Sequence, residues 1–504
     1  MTPTPVVLDG TSLSPEDVVA VARRDAPVTL ADAARAVMQR GADVVARLAD
    51  SDEPAYGVST GFGSLATVRI PVDRREELQR ALIRSHAAGM GPPVEREVVR
   101  AMMLLRARSL AMGFSGARPL VADAIVALLN AGITPVVPEH GSLGASGDLA
   151  PLAHCALALI GEGAPGAEAL NAAGIEPITL TAKEGLALIN GTDGSLGMLL
   201  LAIEDLASLL RVADVTAAMS VEALLGTDRA FAPDLVGLRP QPGQALSADN
   251  IYTLLAGSAI VASHRYDDPR VQDAYSLRCA PQVAGAARDT VEHARRVAAA
   301  ELVSAIDNPM VLPDGRVESC GNFHGAPIAF ACDFLAIAAA EVGAIAERRT
   351  DRLLDATRSH GLPPFLAPDP GVNSGLMIGQ YTQAAIAAEN RRLASPASVD
   401  SLPTSAMQED HVSMSWGAAR KLRAVVANLA RILAVELVCA ARGIELRAPL
   451  TPGAATAAAV ASLRERVPGA GPDRWLSPEL GAAEELVKSG ALLAAVRDVA
   501  GALA

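Results

Sequence analysis

Residues 198–226 read MLLLAIEDLASLLRVADVTAAMSVEALLG, and this run decides the fold. Its apolar residues recur at steps of three and four with polar residues between them, the period of a helix rather than of a strand. Residues 325–354 and 411–443 behave the same way. In the last of these, Leu422, Val425, Val426, Leu429, Ile432, Leu433 and Leu437 form one stripe. These runs are longer than the usual globular helix, and strand signals are few. The expected architecture is mainly α, with a long central helical bundle preceded by a loop-rich N-terminal region.

Outward from that centre, Ser14-Pro15-Glu16-Asp17 has the form of a helix start: a capping Ser, Pro in the first turn, then acids facing the dipole. Helical patterns run on to about residue 50, and return over 74–90 and 94–112. Residues 51–70 and 113–152 are rich in Gly, Ser or Pro and read as loops. The expected organisation is an N-terminal region 1–195, a central long-helix bundle 196–443 and a C-terminal helical cap 444–504.

Composition narrows the function. Half of the 504 residues are hydrophobic and only 3% are aromatic, so the core must be built from Ala, Leu, Val and Ile. A net charge of −13 with no basic run argues against a nucleic acid or an anionic membrane as partner. Cys155, Cys279, Cys320, Cys332 and Cys439 are odd in number and never spaced C-x-x-C, which argues against a disulfide framework or a zinc site. The N-terminus lacks a basic start and an apolar h-region. The apolar run PIAFACDFLAIAAAEVGAIAERR is broken by Asp333 and Glu341, as in a buried helix rather than a membrane span. The expected location is cytoplasmic.

Polar words stand in the loops: AYGVSTGFG (55–63), SHAAGMG (85–91), GSLGASGDLAP (141–151), LINGTDG (188–194), QDAYSLRCAPQ (272–282) and QEDHVSM (408–414). Taken singly, each has an ordinary reading. His86 is a satisfied structural histidine, Arg278 one half of an ion pair, Glu409-Asp410 a complement to the dipole of the following helix, and Asn190-Gly191 a turn. Together they hold a carboxylate clamp, several acid/base groups and amide donors.

The word at 141–151 asks for its own chemistry. It has no phosphate-loop frame, and the neighbouring His140 and His154 have no evident orienting partner that would make Ser146 a nucleophile. Standard side chains offer no good carbon electrophile, but a backbone can make one. The Gly147 nitrogen can attack the Ala145 carbonyl carbon and close a five-membered ring with loss of water. Loss of the Ser146 hydroxyl as a second water leaves an electron-poor exocyclic methylene. The residue types suit this: Gly147 has no Cβ to obstruct the approach, Ala145 leaves its carbonyl open, and Ser146 carries the leaving group. Asp148 can hold the loop or assist proton transfer.

GSLGASGDLAPLAH (141–154) resembles the core motif of the aromatic amino acid ammonia-lyases, whose Ala-Ser-Gly cyclises to methylidene-imidazolone. The other words match that family in order and spacing from about residue 50 to 415. Within it, SHAAGMG, QDAYSLRCAPQ, GNFHGAP and SAMQEDHVSM resemble the histidine-specific members, particularly the actinobacterial form. The resemblance implies a fold similar to the fumarase/aspartase-like lyases, and a homotetramer whose sites draw on more than one chain. It implies elimination of ammonia from L-histidine to trans-urocanate, the first step of histidine degradation, with the ring from Ala145-Ser146-Gly147 as electrophile and no metal or diffusible cofactor. By the same resemblance Tyr56 is the β-proton base, with Glu409 the other group considered for that role. Tyr275 and Asn190 line the electrophile, Gln272 lies in the same shell, and Phe323 stands beside the ring. Arg278, whose fork matches a carboxylate, takes the substrate carboxylate. His86 and Glu409 select the imidazole. One departure is Met407, where many histidine-specific members have Asn. The rivals are a tyrosine or phenylalanine ammonia-lyase or aminomutase of the same family, a serine hydrolase using an intact Ser146, and an inactive helical scaffold.

Overall fold

In the computed structural model, which describes residues 4–11, 13–51, 55–266 and 268–504, the three long runs are helices. The opening run lies largely within the 31-residue helix Asp193–Ala223. The others form Ala326–Leu354 and Ser415–Glu445, and a fourth long helix spans Ala280–Leu302. Every member of the stripe from Leu422 to Leu437 is at most 3% exposed. Each such side chain contributes roughly 1.5–3 kcal/mol by leaving water. The last helix begins at Ser415, later than its periodicity predicts. Residues 411–414 are not helical: Met414 has φ +55°, and its N–H donates to the Leu143 carbonyl at 2.9 Å.

The chain divides into two compact units. The first comprises Met1–Leu201, Arg295–Asp333 and Pro396–Arg420; the second comprises Ala202–Ala294, Phe334–Ser395 and Lys421–Ala504. Two buried carboxylates inside the helices are matched within their unit. In the second, the fully buried Glu436 accepts from Thr216 and Ser220 at 2.8 Å and from Arg349 at 2.9 Å. Removing any one donor would leave a buried charge short of a partner. In the first, buried Asp333 accepts the Ser398 N–H at 2.8 Å.

The N-terminal reading holds in part. Ser14 caps Pro15–Arg24 in a capping box with Asp17, and Asp32–Ala49, Arg75–His86 and Arg96–Ala111 are helices. The stretch to residue 50 is not all helical: Val28–Leu30 pairs in parallel with Val6–Leu8, Val6 opposite Val28. Three alternating residues, buried, exposed, buried, suffice for a strand but are too few to register as a period. Residues 113–152 are not all loop either. Pro119–Asn130 is a helix that buries Val121, Ile125 and Leu128, its signal masked by flanking Gly and Pro. Of the loop at 51–70, residues 52–54 lie outside the described residues; the rest is turns with a 3-10 turn at Gly63–Leu65.

Two helices, Ala326–Leu354 and Ser415–Glu445, are long and apolar enough to cross a membrane by length and composition. Within the protein, 56% and 83% of their most apolar stretches are buried, and a core helix of a bundle passes the same test. The five cysteines are free thiols. Burial raises the Cys155 and Cys439 thiols far above the usual range, which leaves them unreactive.

Candidate active site

The first unit gathers segments at 56–63, 142–148, 190–192, 307–325 and 404–414 with the last turn of helix Arg75–His86 and the start of helix Asp193–Ala223. At its centre the 144–147 backbone folds on itself, with bridges from Gly144 to Gly147 and from Ala145 to Gly147. Gly147 has φ +74°, and a Cβ there would stand 2.2 Å from the Gly191 carbonyl oxygen. Only glycine fits that approach. Gly144 is hemmed in likewise: a Cβ would lie 2.2 Å from Ser413 Oγ and 2.6 Å from Ser415 Oγ.

Asp148 fastens the turn. Its N–H donates to the Gly191 carbonyl at 2.6 Å, and its carboxylate accepts from Ser195 N–H (2.8 Å), Ser195 Oγ (2.9 Å) and Ser142 Oγ (3.1 Å). Complete burial pushes its pKa up to about 6, and those three donors oppose the rise. Asn190, immediately before Gly191, follows the short helix Glu184–Ile189. Its Nδ2 donates to Asp307 Oδ1 (3.1 Å) and to the Asn308 carbonyl (2.8 Å). Its Oδ1 is buried with no hydrogen-bond partner among the described residues, an acceptor held ready. Asn308 in turn accepts the Cys320 N–H at 2.8 Å, tying in the segment that carries half-buried Phe323.

Tyr56, His86 and Glu409 form the other side of the cluster. The Tyr56 hydroxyl accepts the Gly63 N–H at 3.0 Å. Burial holds its phenol above the usual tyrosine value; the Gly63 donor opposes this and the Glu409 charge reinforces it. Glu409 accepts from Thr404 Oγ1 at 3.0 Å, and a side chain on Gly63 would come within 3.3 Å of it. His86 Nδ1 faces the Leu82 carbonyl at 3.0 Å. A carbonyl only accepts, and Ser85 Oγ, also 3.0 Å from Nδ1, donates its own proton to the Leu82 carbonyl, so both contacts suit a proton on Nδ1 and a bare Nε2 in the neutral ring. Burial lowers the His86 pKa, against contributions from the Leu82 bond and Glu409. The structural reading of His86 therefore describes one ring nitrogen only. Glu409-Asp410 is not a dipole complement, since the helix starts at Ser415.

The remaining three candidates lie in the second unit, on the segment around the short helix Tyr275–Arg278. Tyr275 is 70% exposed and Gln272 is exposed as well. The Arg278 guanidinium lies 4.4 Å from the Tyr275 ring centroid, and its Nε donates to the Asp273 carbonyl at 3.0 Å. It makes no ion pair among the described residues, so the ordinary reading of Arg278 fails. Sequence reasoning passed over Ser195, Thr404, Ser413 and Ser415, which meet Asp148, Glu409 and the Gly144 backbone. Nothing in a lone Ser or Thr shows which distant backbone it will meet.

Known proteins resemble this chain over most of its length. The family model described as aromatic amino acid lyase matches residues 13–465. The chain is 61% identical to histidine ammonia-lyase of Streptomyces griseus, over 99% of both chains. Among solved structures it resembles tyrosine aminomutase from Streptomyces globisporus, with a TM-score of 0.92 and 37% identity over 98% of this chain and 99% of that one. Histidine ammonia-lyase from Trypanosoma cruzi gives a TM-score of 0.89 and 40% identity over 98% and 95%. With the family model spanning most of its length, the chain belongs to the aromatic amino acid lyase family.

Proposed function

We propose that the protein eliminates ammonia from L-histidine to give trans-urocanate, the opening step of histidine breakdown. The observation that carries this is Glu409, whose charge reaches both Tyr56 and His86 inside the cluster that contains Ala145-Ser146-Gly147. An imidazolium presents two N–H donors and a positive charge. The Glu409 carboxylate can accept one N–H and stabilise the charge, and the bare Nε2 of His86 is a second acceptor. A phenyl substrate would leave both unpaired, at a cost. Identity of 61% over the full length to a histidine ammonia-lyase supports the same substrate over tyrosine or phenylalanine.

The turn fits a self-made methylidene-imidazolone. Its backbone already closes on itself, Gly147 occupies a conformation and a space that exclude a side chain, and Asn190, next to the Gly191 that Gly147 meets, has a buried Oδ1 with no hydrogen-bond partner among the described residues. Ala145, Ser146 and Gly147 would compose the ring, which would supply an electron-poor methylidene carbon. Around it, Arg278 holds the substrate carboxylate through its fork, while Glu409 and His86 hold the imidazole. Tyr56 takes the β-proton, with the Gly63 N–H stabilising the phenolate. Asn190 and Tyr275 line the electrophile, Gln272 extends that shell, and Phe323 packs beside it. Because that β-carbon is a poor acid, positioning must supply much of the rate. Exposed Tyr275 stacked on half-buried Arg278 supports a homotetramer with shared sites, since a carboxylate clamp partly open to water would hold its substrate weakly.

The test is a near-UV assay of the purified protein, without added cofactor, on L-histidine, L-tyrosine and L-phenylalanine across pH. A conjugated acrylate from histidine alone supports the reading, with kcat/KM climbing in the alkaline range if Tyr56 is the base. Product from tyrosine or phenylalanine but not histidine overturns the substrate assignment.

A further inference from the structure

Two histidines stand outside the roles given above. His324 follows Phe323 in the turn that leads into helix Ala326–Leu354. His411 lies two residues after Glu409, ahead of helix Ser415–Glu445. They are 87 residues apart in sequence, yet His324 Nε2 lies 3.3 Å from His411 Nδ1. The two rings stack with centroids 5.4 Å apart and planes inclined by 21°.

We propose that His324 and His411 act as one positioning pair, locking the loop of Phe323 to the loop of Glu409 so that both present their side chains to the substrate together. The proposal rests on the lyase reading of this cluster. Three further contacts support it. Gly325 has no room for a side chain, since a Cβ there would meet Ser415 Oγ at 2.5 Å and Ser415 Cβ at 2.7 Å. The two loops therefore touch backbone to side chain directly beside the imidazole pair. On its far side, the Glu409 loop is fastened to the Ala-Ser-Gly turn. Met414 N–H donates to the Leu143 carbonyl (2.9 Å) and Ser413 Oγ to the Gly144 carbonyl (3.3 Å). The 411–415 stretch is thus held between the turn and the Phe323 loop, and the imidazole contact is its side-chain link to the latter. A bond between two ring nitrogens needs one donor and one acceptor, so at least one ring must be neutral. Burial and the neighbouring His411 charge hold His324 below the ordinary histidine value, which favours that state.

The test is a double-mutant cycle in the full-length protein with L-histidine as substrate, using His324→Leu, His411→Leu and the pair together. Each single change should lower kcat about tenfold with KM moving less than about threefold, because misplacement of loop groups weakens the transition state more than the ground state. The double change should fall no further than either single one. His324→Gln, which keeps a donor and an acceptor, should recover most of the loss. Additive losses, or kinetics unchanged from wild type, overturn the pair. Intact mass of each variant separates positioning from assembly: a variant still two waters lighter than its sequence has formed its electrophile, and one that has lost this decrement shows a role in loop folding, which also overturns the proposal. A wild-type protein inactive on all three aromatic amino acids would overturn the lyase reading itself, and the pair with it.

Discussion

The loop cluster of the first unit and the 272–278 segment of the second present their functional side chains in opposite ways. Tyr56, Asn190, Asp148 and Glu409 are held by partners within their own unit: a backbone N–H, an Asp–Asn pair, two serines and a threonine. Tyr275 is 70% exposed, and Arg278 donates to one carbonyl, that of Asp273, and stacks on Tyr275. The contrast teaches that the proposed electrophile turn and the groups proposed to select the imidazole are tied into one unit's fold, whereas the segment proposed to hold the carboxylate has few ties of its own.

Changes in the built-in cluster should therefore be the more severe. Ser146→Ala removes the only leaving hydroxyl of the turn and should cost at least about 10³-fold in turnover, read from the near-UV product. Turnover at the wild-type rate would break the comparison at its root. Asp148 comes next, through stability. Its folded pKa of about 6 lies above the unfolded value of 3.8. The native state thus binds the proton more tightly, and the contribution present below the unfolded pKa is lost as pH rises through the folded one. The difference is worth about 3 kcal/mol. Asp148→Asn should remove that slope, so denaturant titrations at the two ends of this window should show wild type losing stability relative to the variant. Parallel curves would show that the three donors already neutralise the burial cost.

Arg278→Lys probes the open segment. A point charge replaces a fork, and kcat/KM should fall about 10- to 100-fold with Ser146 chemistry intact by mass. Glu409→Gln sharpens the comparison: kcat/KM for L-histidine should fall about tenfold with the mass of the turn unchanged, because a neutral amide has lost the charge that stabilises an imidazolium. An unchanged value would remove Glu409 from selectivity. The smallest effect belongs to Met407. It has φ +73° in a turn where Ser405 and Ala406 also have positive φ, and it is 67% exposed. Asn tolerates this region better than Met, so Met407→Asn should stabilise by about 0.5–1 kcal/mol in thermal or chemical denaturation, with little effect on kcat.

Much of this was legible in the sequence for identifiable physical reasons. The stripe from Leu422 to Leu437 has a period, and burial follows period. The Ser14 cap is local, and so is the Ala145-Ser146-Gly147 word. What the sequence hid depends on partners far along the chain. The strand Val28–Leu30 exists because Val6–Leu8 lies beside it. The helix Ser415–Glu445 starts late because residues 413 and 414 are committed to the 143–144 backbone. The assignment of His86 Nδ1 required the Leu82 carbonyl, and the contact between His324 and His411 joins two words that no spacing rule connects.

The central claim is that the first unit makes its own electrophile from Ala145-Ser146-Gly147. The most direct test is the intact mass of the purified full-length protein, measured beside Ser146→Ala. The account predicts a wild type lighter than its sequence by two waters, with the loss mapping to a peptide spanning residues 141–154. It predicts a Ser146→Ala variant without that full loss. A wild-type mass equal to the unmodified sequence would contradict it.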